Sequence, residues 1–210
     1  MKQGLTEIIA VVDKSGSMLS VKSDAIGGFN AFLEGQKKLP GEATMTVVLF
    51  DSRGRYELKY SGVPLAEVEP FNEGTYVPGG MTALLDAIGK TIDAVGKRLS
   101  MALEAERPEK VIMAILTDGH ENDSKEYKRP QIMDKINHQR DVYKWEFIFL
   151  GANQDAIEEG GRIGIHHAMT YAATPEGTRD AYNLVGNMVA SYRTTGKVEP
   201  EGDKKRKKTG

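Results

Sequence analysis

Hydrophobic positions gather in five short runs: TEIIAVVD (6–13), TMTVVLFD (44–51), KVIMAILTD (110–118), WEFIFLGA (145–152) and the weaker HAMTYAA (167–173). All are rich in β-branched or aromatic residues, and most are apolar at odd and even positions alike. A strand with one wet face alternates, so this pattern predicts strands covered on both faces. Between the runs, residues 21–38, 82–103, 129–140, 154–160 and 175–193 carry apolar residues at helical spacing. Strand and helix therefore alternate, which predicts an α/β fold with a doubly wound, mostly parallel sheet.

One segment breaks the pattern. In RYELKYSG (55–62), Tyr56, Leu58 and Tyr60 alternate with Glu57 and Lys59 after the turn DSRG. That suits a half-exposed strand, the second arm of a hairpin, and so predicts one antiparallel edge. From residue 199 the chain reads EPEGDKKRKKTG, without an apolar side chain to anchor it. Residues 1–196 are accordingly expected to form a single domain, and residues 197–210 a disordered basic tail.

Composition narrows the functional classes. At 210 residues the chain can bury one substantial core. With 28 Lys and Arg against 30 Asp and Glu, overall charge gives no reason to expect nucleic acid, a membrane or a polyanionic substrate. The run KKRKK (204–208) is read as a solvated tail. No cysteine is present, which removes disulfides, thiolate metal sites and thiol nucleophiles. The opening MKQGLTEIIAVVD leaves no room for a signal peptide's apolar core, and no later run approaches membrane-spanning length. A soluble, cytoplasmic protein is expected.

Candidate chemistry lies at the strand ends, because ligands of an open α/β sheet gather outside the carboxyl ends of its strands. Three of the apolar runs end on aspartate: Asp13, Asp51 and Asp118. DKSGS places Ser15 and Ser17 just beyond Asp13, and TDGHEN gives Asp118 a following Gly119 that permits a tight turn. In PGGMTALLDAIG, two glycines precede Thr82 where a helix is expected to begin. Two carboxylates and three hydroxyls form an oxygen-only set suited to a hard divalent cation. With only two formal charges it favours Mg²⁺, or Mn²⁺ in its place, over Ca²⁺. Each residue alone has an ordinary turn or cap role, Thr82 as an N-cap among them. Three loops meeting at one sheet edge carry the inference.

DKSGS, GGMT and LTDG together resemble the von Willebrand factor A (vWA) domain family, over roughly residues 5–193. DKSGS matches that family's DxSxS motif, GGMT its glycine-preceded threonine, and LTDG its strand-terminal aspartate. The resemblance implies a six-stranded, mostly parallel sheet with one antiparallel edge strand and helices on both faces. It also implies a metal-ion-dependent adhesion site, or MIDAS. There Ser15 and Ser17 would bind Mg²⁺ directly, Thr82 would do so in the ligand-engaged state, and Asp13 and Asp118 would act largely through water. Without cysteines or a secretion signal, the chain is most similar to stand-alone intracellular vWA proteins of bacteria and phages. Several of these work beside AAA+ ATPases, chelatases or stress-resistance proteins.

The resemblance implies a metal-dependent protein-binding module and not an enzyme. A partner's Asp or Glu would fill the open coordination position. Two other readings stand beside it: a metal-dependent phosphohydrolase, and a structural domain with a vestigial site. Against the first, an aspartyl-phosphate phosphatase wants a second acid where Ser15 stands. Neither G-x-S-x-G nor a P-loop occurs. The HEND run, His120 to Asp123, is expected to rim the site and help select partners, with Glu121 foremost. Asp51 is assigned a turn role with Ser52 and Gly54, and the pair His166 and His167 a structural one.

Overall fold

The computed structural model describes residues 1–52, 56–152 and 156–199. In chain order the elements are β1 (Lys2–Asp13), α1 (Lys22–Lys37), β2 (Ala43–Phe50), β3 (Tyr56–Pro64), α2 (Leu84–Met101), β4 (Pro108–Thr117), α3 (Arg129–Tyr143), β5 (Glu146–Ala152), α4 (Ala156–Arg162), β6 (His167–Tyr171) and α5 (Pro175–Thr195). The strands form one six-stranded sheet in the order β3-β2-β1-β4-β5-β6. All neighbours run parallel except β3, which pairs antiparallel with β2 at the edge. The architecture is the one expected from the alternating runs.

Parity along the strands explains why the runs are apolar throughout. On β1, Ile8, Ala10 and Val12 face one core cluster while Ile9 and Val11 face the other. β4 divides in the same way, with Ile112, Ala114 and Leu116 against Val111, Met113 and Ile115. The first cluster includes residues of α1 and α5, and the second residues of α2, α3 and α4. Helices on both faces thus require both parities to be apolar.

Two boundaries differ from expectation, each for a polar reason. β1 begins at Lys2, four residues before the apolar run, because its exposed start is held by hydrogen bonds and not by burial. There Lys2 N–H donates to the Arg107 carbonyl at 2.7 Å and Gly4 N–H to the Glu109 carboxylate at 2.7 Å. At the other end Val198, in the expected tail, is buried in the α1/α5 cluster. The basic run at 204–208 lies outside the described residues.

An ion pair with a buried carboxylate joins α2 to the sheet. Glu7 of β1 is fully buried, accepts a hydrogen bond from Thr46 Oγ1 at 2.7 Å and pairs with Arg98 of α2. Among the described residues, no helix is long and apolar enough to cross a membrane.

Candidate metal centre

Asp13 ends β1 at the carboxyl edge of the sheet, between β2 and β4. Pairing of Val12 with Leu116 sets the ladder so that its next step brings Asp13 level with Thr117. The Thr117 hydroxyl accordingly donates to Asp13 Oδ2 at 2.5 Å, while Ser15 N–H donates to Oδ1 at 2.6 Å. Asp13 has no exposed surface. Its burial pushes the carboxyl pKa up to about 7, against the lowering effect of these hydrogen bonds. Beneath it, Tyr76 O–H donates to the Asp13 carbonyl at 2.6 Å, and Tyr171 O–H to the Thr117 carbonyl at 3.3 Å. Two phenols thus hold the backbone of the two strands that carry the carboxylates.

Ser15 and Ser17 lead from β1 into the short 3₁₀ turn Gly16–Val21 that precedes α1. Their hydroxyls lie 3.0 Å apart, and Ser17 Oγ donates onward to Asp118 Oδ1 at 2.6 Å. Asp118 follows β4 directly, and burial raises its pKa as well. Four of the five predicted residues are therefore linked through Asp13, Ser15, Ser17 and Asp118.

Thr82 arrives on a loop laced to both neighbours. Gly16 N–H donates to the Gly80 carbonyl at 2.9 Å and Gly79 N–H to the Lys14 carbonyl at 2.8 Å. Gly80 has φ of 81°, a conformation that favours glycine. On the other side, Thr82 N–H donates to Asn122 Oδ1 at 2.9 Å, and Asn122 N–H to the Thr82 carbonyl at 3.1 Å. The Thr82 hydroxyl rests against Gly119, where a Cβ would come within 2.5 Å of Oγ1. Gly119 was expected to serve a tight turn. The chain bends at Asp118 and Gly119 without positive φ, and the smallness of Gly119 also serves the close approach of Thr82.

The expected cap role of Thr82 is not observed. Helix α2 starts at Leu84 after Ala83, which has no capping side chain. Its first amides are satisfied from the loop after Asp118: Leu85 N–H donates to Glu121 Oε2 at 2.9 Å and Asp86 N–H to Ser124 Oγ at 3.0 Å. Glu121 is thus a capping carboxylate, its Oε1 also accepting from the amides of Asp123 and Ser124. That corrects its assignment to a partner-reading rim; His120 remains exposed. In return, Asp86 of α2 accepts the amides of Lys125, Glu126 and Tyr127, each at 2.9 Å.

Other sequence candidates lie apart from this chemistry. Ser52 Oγ accepts the Met81 amide at 2.6 Å, which ties the loop after Asp51 to the Thr82 loop. Gly54, the third member of the expected turn, is outside the described residues. His167 faces Glu146 across the sheet edge at 3.7 Å. No group of three or more His, Cys, Asp or Glu side chains among the described residues could hold a metal ion. The donor set above is of another kind, two carboxylates among three hydroxyls, and its oxygen-only chemistry fits a hard divalent cation. Thr117, Asn122 and Tyr76, which brace it, carry no motif. Only the strand register and the loop crossings bring them there.

No family model matches the chain, and no curated protein matches it. Solved structures do. Proximal thread matrix protein 1 from the mussel byssus superposes with a TM-score of 0.58 and 14% identity, covering 89% of this chain and 46% of that one. A von Willebrand factor type A structure from Catenulispora acidiphila gives 0.59 and 13%, covering 89% and 43%. The fold is that of a vWA domain. What is shared is the α/β architecture. This chain spans less than half the length of those solved chains. A further mussel structure, with a TM-score of 0.56 and 13% identity over 88% of this chain and 46% of that one, has a zinc-occupied MIDAS motif. In the present vWA fold, the five residues singled out in the sequence lie at the carboxyl edge of the sheet, at the end of β1 and on the loops after β1 and β4 and entering α2.

Proposed function

We propose that the protein is a divalent-metal-dependent protein-binding module in which Asp13, Ser15, Ser17, Thr82 and Asp118 hold Mg²⁺, or Mn²⁺ in its place. The observation that carries this reading is the convergence of hydroxyls and carboxylates from three separate loops, two joined by the Ser17–Asp118 contact and the third bringing the Thr82 hydroxyl against Gly119. A bound divalent cation would supply a Lewis-acidic position open to a partner's Asp or Glu carboxylate.

The chain's own residues do the rest. Asp13, fixed by Thr117 and the Ser15 amide, sets the negative charge beneath the site. Exposed Ser17 stands at the mouth, and Asn122 fixes the backbone that presents Thr82. The role is binding and not catalysis, since a hydroxyl, Ser15, stands where an aspartyl-phosphate phosphatase carries its second acid. We place the protein in the cytoplasm, within an assembly of the kind formed around AAA+ ATPases or stress-resistance proteins. Membrane and specific nucleic acid have no part in this reading.

A pull-down in Mg²⁺ with elution by EDTA, run beside Thr82→Ala, tests the proposal. Partner capture is expected to need both metal and Thr82; capture indifferent to chelation would reject it. Mg²⁺ or Mn²⁺ should also raise the melting temperature relative to EDTA, as any ligand bound only to the folded state must.

A further inference from the structure

Building on the metal-socket reading, we infer that Asn30 of α1, which is outside the donor set, is a positioning residue for the metal site: through Phe71 and Tyr76 it fixes the backbone at Asp13. An asparagine inside a helix costs stability relative to alanine, and Asn30 stands in the middle of Lys22–Lys37. Its side chain is engaged with another segment. Nδ2 donates to the Phe71 carbonyl at 2.9 Å, and the Phe71 amide donates back to Oδ1 at 2.7 Å. Both backbone groups of Phe71 are thus clamped to α1.

The clamp holds a stacked column of rings. Phe71 lies on Phe29 of α1 with centroids 3.7 Å apart and planes 7° from parallel, and on Tyr76 at 5.8 Å and 10°. All three rings are buried. At the far end of the column the Tyr76 hydroxyl donates to the Asp13 carbonyl at 2.6 Å. Close-packed interiors transmit strain, so a shift of Phe71 is passed to Tyr76 and from there to Asp13.

Helix α1 is itself held in place. On a different flank its Gly28 lies against Tyr182 of α5, where a Cβ would fall 2.4 Å from Cδ2 of the ring. Two more α1 side chains hold the segment around Phe71 by its carbonyls: Lys37 Nζ donates to Val68 at 2.8 Å and Lys22 Nζ to Glu73 at 3.0 Å. Beyond Tyr76 the chain has anchors of its own, Gly79 on Lys14, Gly80 on Gly16 and Thr82 on Asn122. The influence of α1 therefore enters the site at Tyr76. Of the ties to α1, that of Asn30 grips Phe71 itself.

Calorimetric titration of the full chain with Mn²⁺ tests this. Asn30→Ala should weaken binding about threefold or more, a smaller version of the losses that follow removal of a metal site's outer partners. Asn30→Asp, which keeps an acceptor for the Phe71 amide but loses the donor, should also bind more weakly than the parent, and it decides if the alanine variant does not fold. As a control, Val189→Ala truncates a buried residue of α5 in the same core cluster. It should lower the melting temperature and leave Mn²⁺ affinity unchanged. In a Tyr76→Phe background, where the bond to Asp13 is already gone, Asn30→Ala should cause a smaller drop than in the parent. Unchanged affinity in the Asn30 variants, an equal drop in Val189→Ala, or an equal effect of Asn30→Ala in both backgrounds would overturn the inference and leave the socket standing. A parent chain that binds no Mn²⁺ and gains no melting temperature from it would instead remove the socket reading and this inference with it.

Discussion

Ser17 and Asp118 stand 101 positions apart in the chain, yet Ser17 Oγ donates to Asp118 Oδ1 at 2.6 Å. Adjacency of β1 and β4 produces that contact, since both residues belong to the loops leaving those strands. Ser17 is exposed, so Ser17→Ala should change stability in EDTA by no more than about 0.5 kcal/mol. Its effect on metal should be larger, a weakening of about tenfold or more, by analogy with other losses around metal ligands. Calorimetric titration with Mn²⁺ decides; an unchanged affinity would take Ser17 out of the donor set.

Asp13 ties stability to pH. Its pKa rises from 3.8 to about 7 on folding because burial disfavours the charged form. The folded state therefore binds the extra proton between those values, and its contribution to stability is full at low pH and lost as pH rises through about 7. In EDTA the melting temperature is expected to fall between pH 5.5 and pH 8. Asp13→Asn should flatten that dependence. Because metal competes with the proton for the carboxylate, Mn²⁺ affinity should rise over the same interval. A chelated protein with equal melting temperatures at both ends would contradict the assignment.

Glu121→Ala should act first on the fold. Removing the acceptor of the Leu85, Asp123 and Ser124 amides uncaps α2, with an expected loss of about 1–2 kcal/mol. Denaturant unfolding measures it directly. Mn²⁺ affinity is expected to drop too, through displacement of Thr82, whereas Glu121→Gln should retain most of both properties. A purely partner-reading Glu121 would show neither effect.

Gly119→Ala sets a methyl group against Thr82 Oγ1, at a separation of 2.5 Å before relaxation. Overpacking of this kind costs about 1–3 kcal/mol. Since the obstructed atom is a proposed donor, metal affinity should fall with stability. The double variant Gly119→Ala/Thr82→Ala should recover part of the stability, by removing Oγ1, without recovering metal affinity.

Arg98→Ala leaves the Glu7 carboxylate buried without its partner. Stranding a buried charged acceptor costs about 2–3 kcal/mol, with Thr46 still donating to Glu7 and Arg98 itself partly exposed. Urea unfolding at neutral pH is expected to show that loss. Replacing both residues, Glu7→Gln with Arg98→Met, should be less harmful than Arg98→Ala alone.

Sequence periodicity revealed the sheet because burial is local in its signature: a strand covered on both faces must be apolar at both parities, as β1 and β4 are. The same logic failed at Lys2 to Gly4, where hydrogen bonds to Arg107 and Glu109 extend the strand without apolar side chains. For the site, DKSGS was legible since Asp13, Ser15 and Ser17 lie within one turn. Thr82 and Asp118 were legible as strand and helix ends. What could not be read was the bracing. Whether Glu121 faces a partner or caps α2 depends on a crossing of two loops 36 residues apart, and the sequence near Glu121 holds no trace of that crossing. Thr117 likewise meets Asp13 only through the strand register.

The lacing of the three loops bears on how such a site could be moved or inherited. Lys14 and Gly16 are bonded to Gly79 and Gly80, Thr82 to Asn122, and Asp86 to residues 125–127. Each segment takes its shape from the others. Transplanting DKSGS alone onto a foreign sheet would carry the letters of the motif without its geometry. The smallest portable unit is the whole knot of loops, together with the two neighbouring strands that hold its ends at the right spacing.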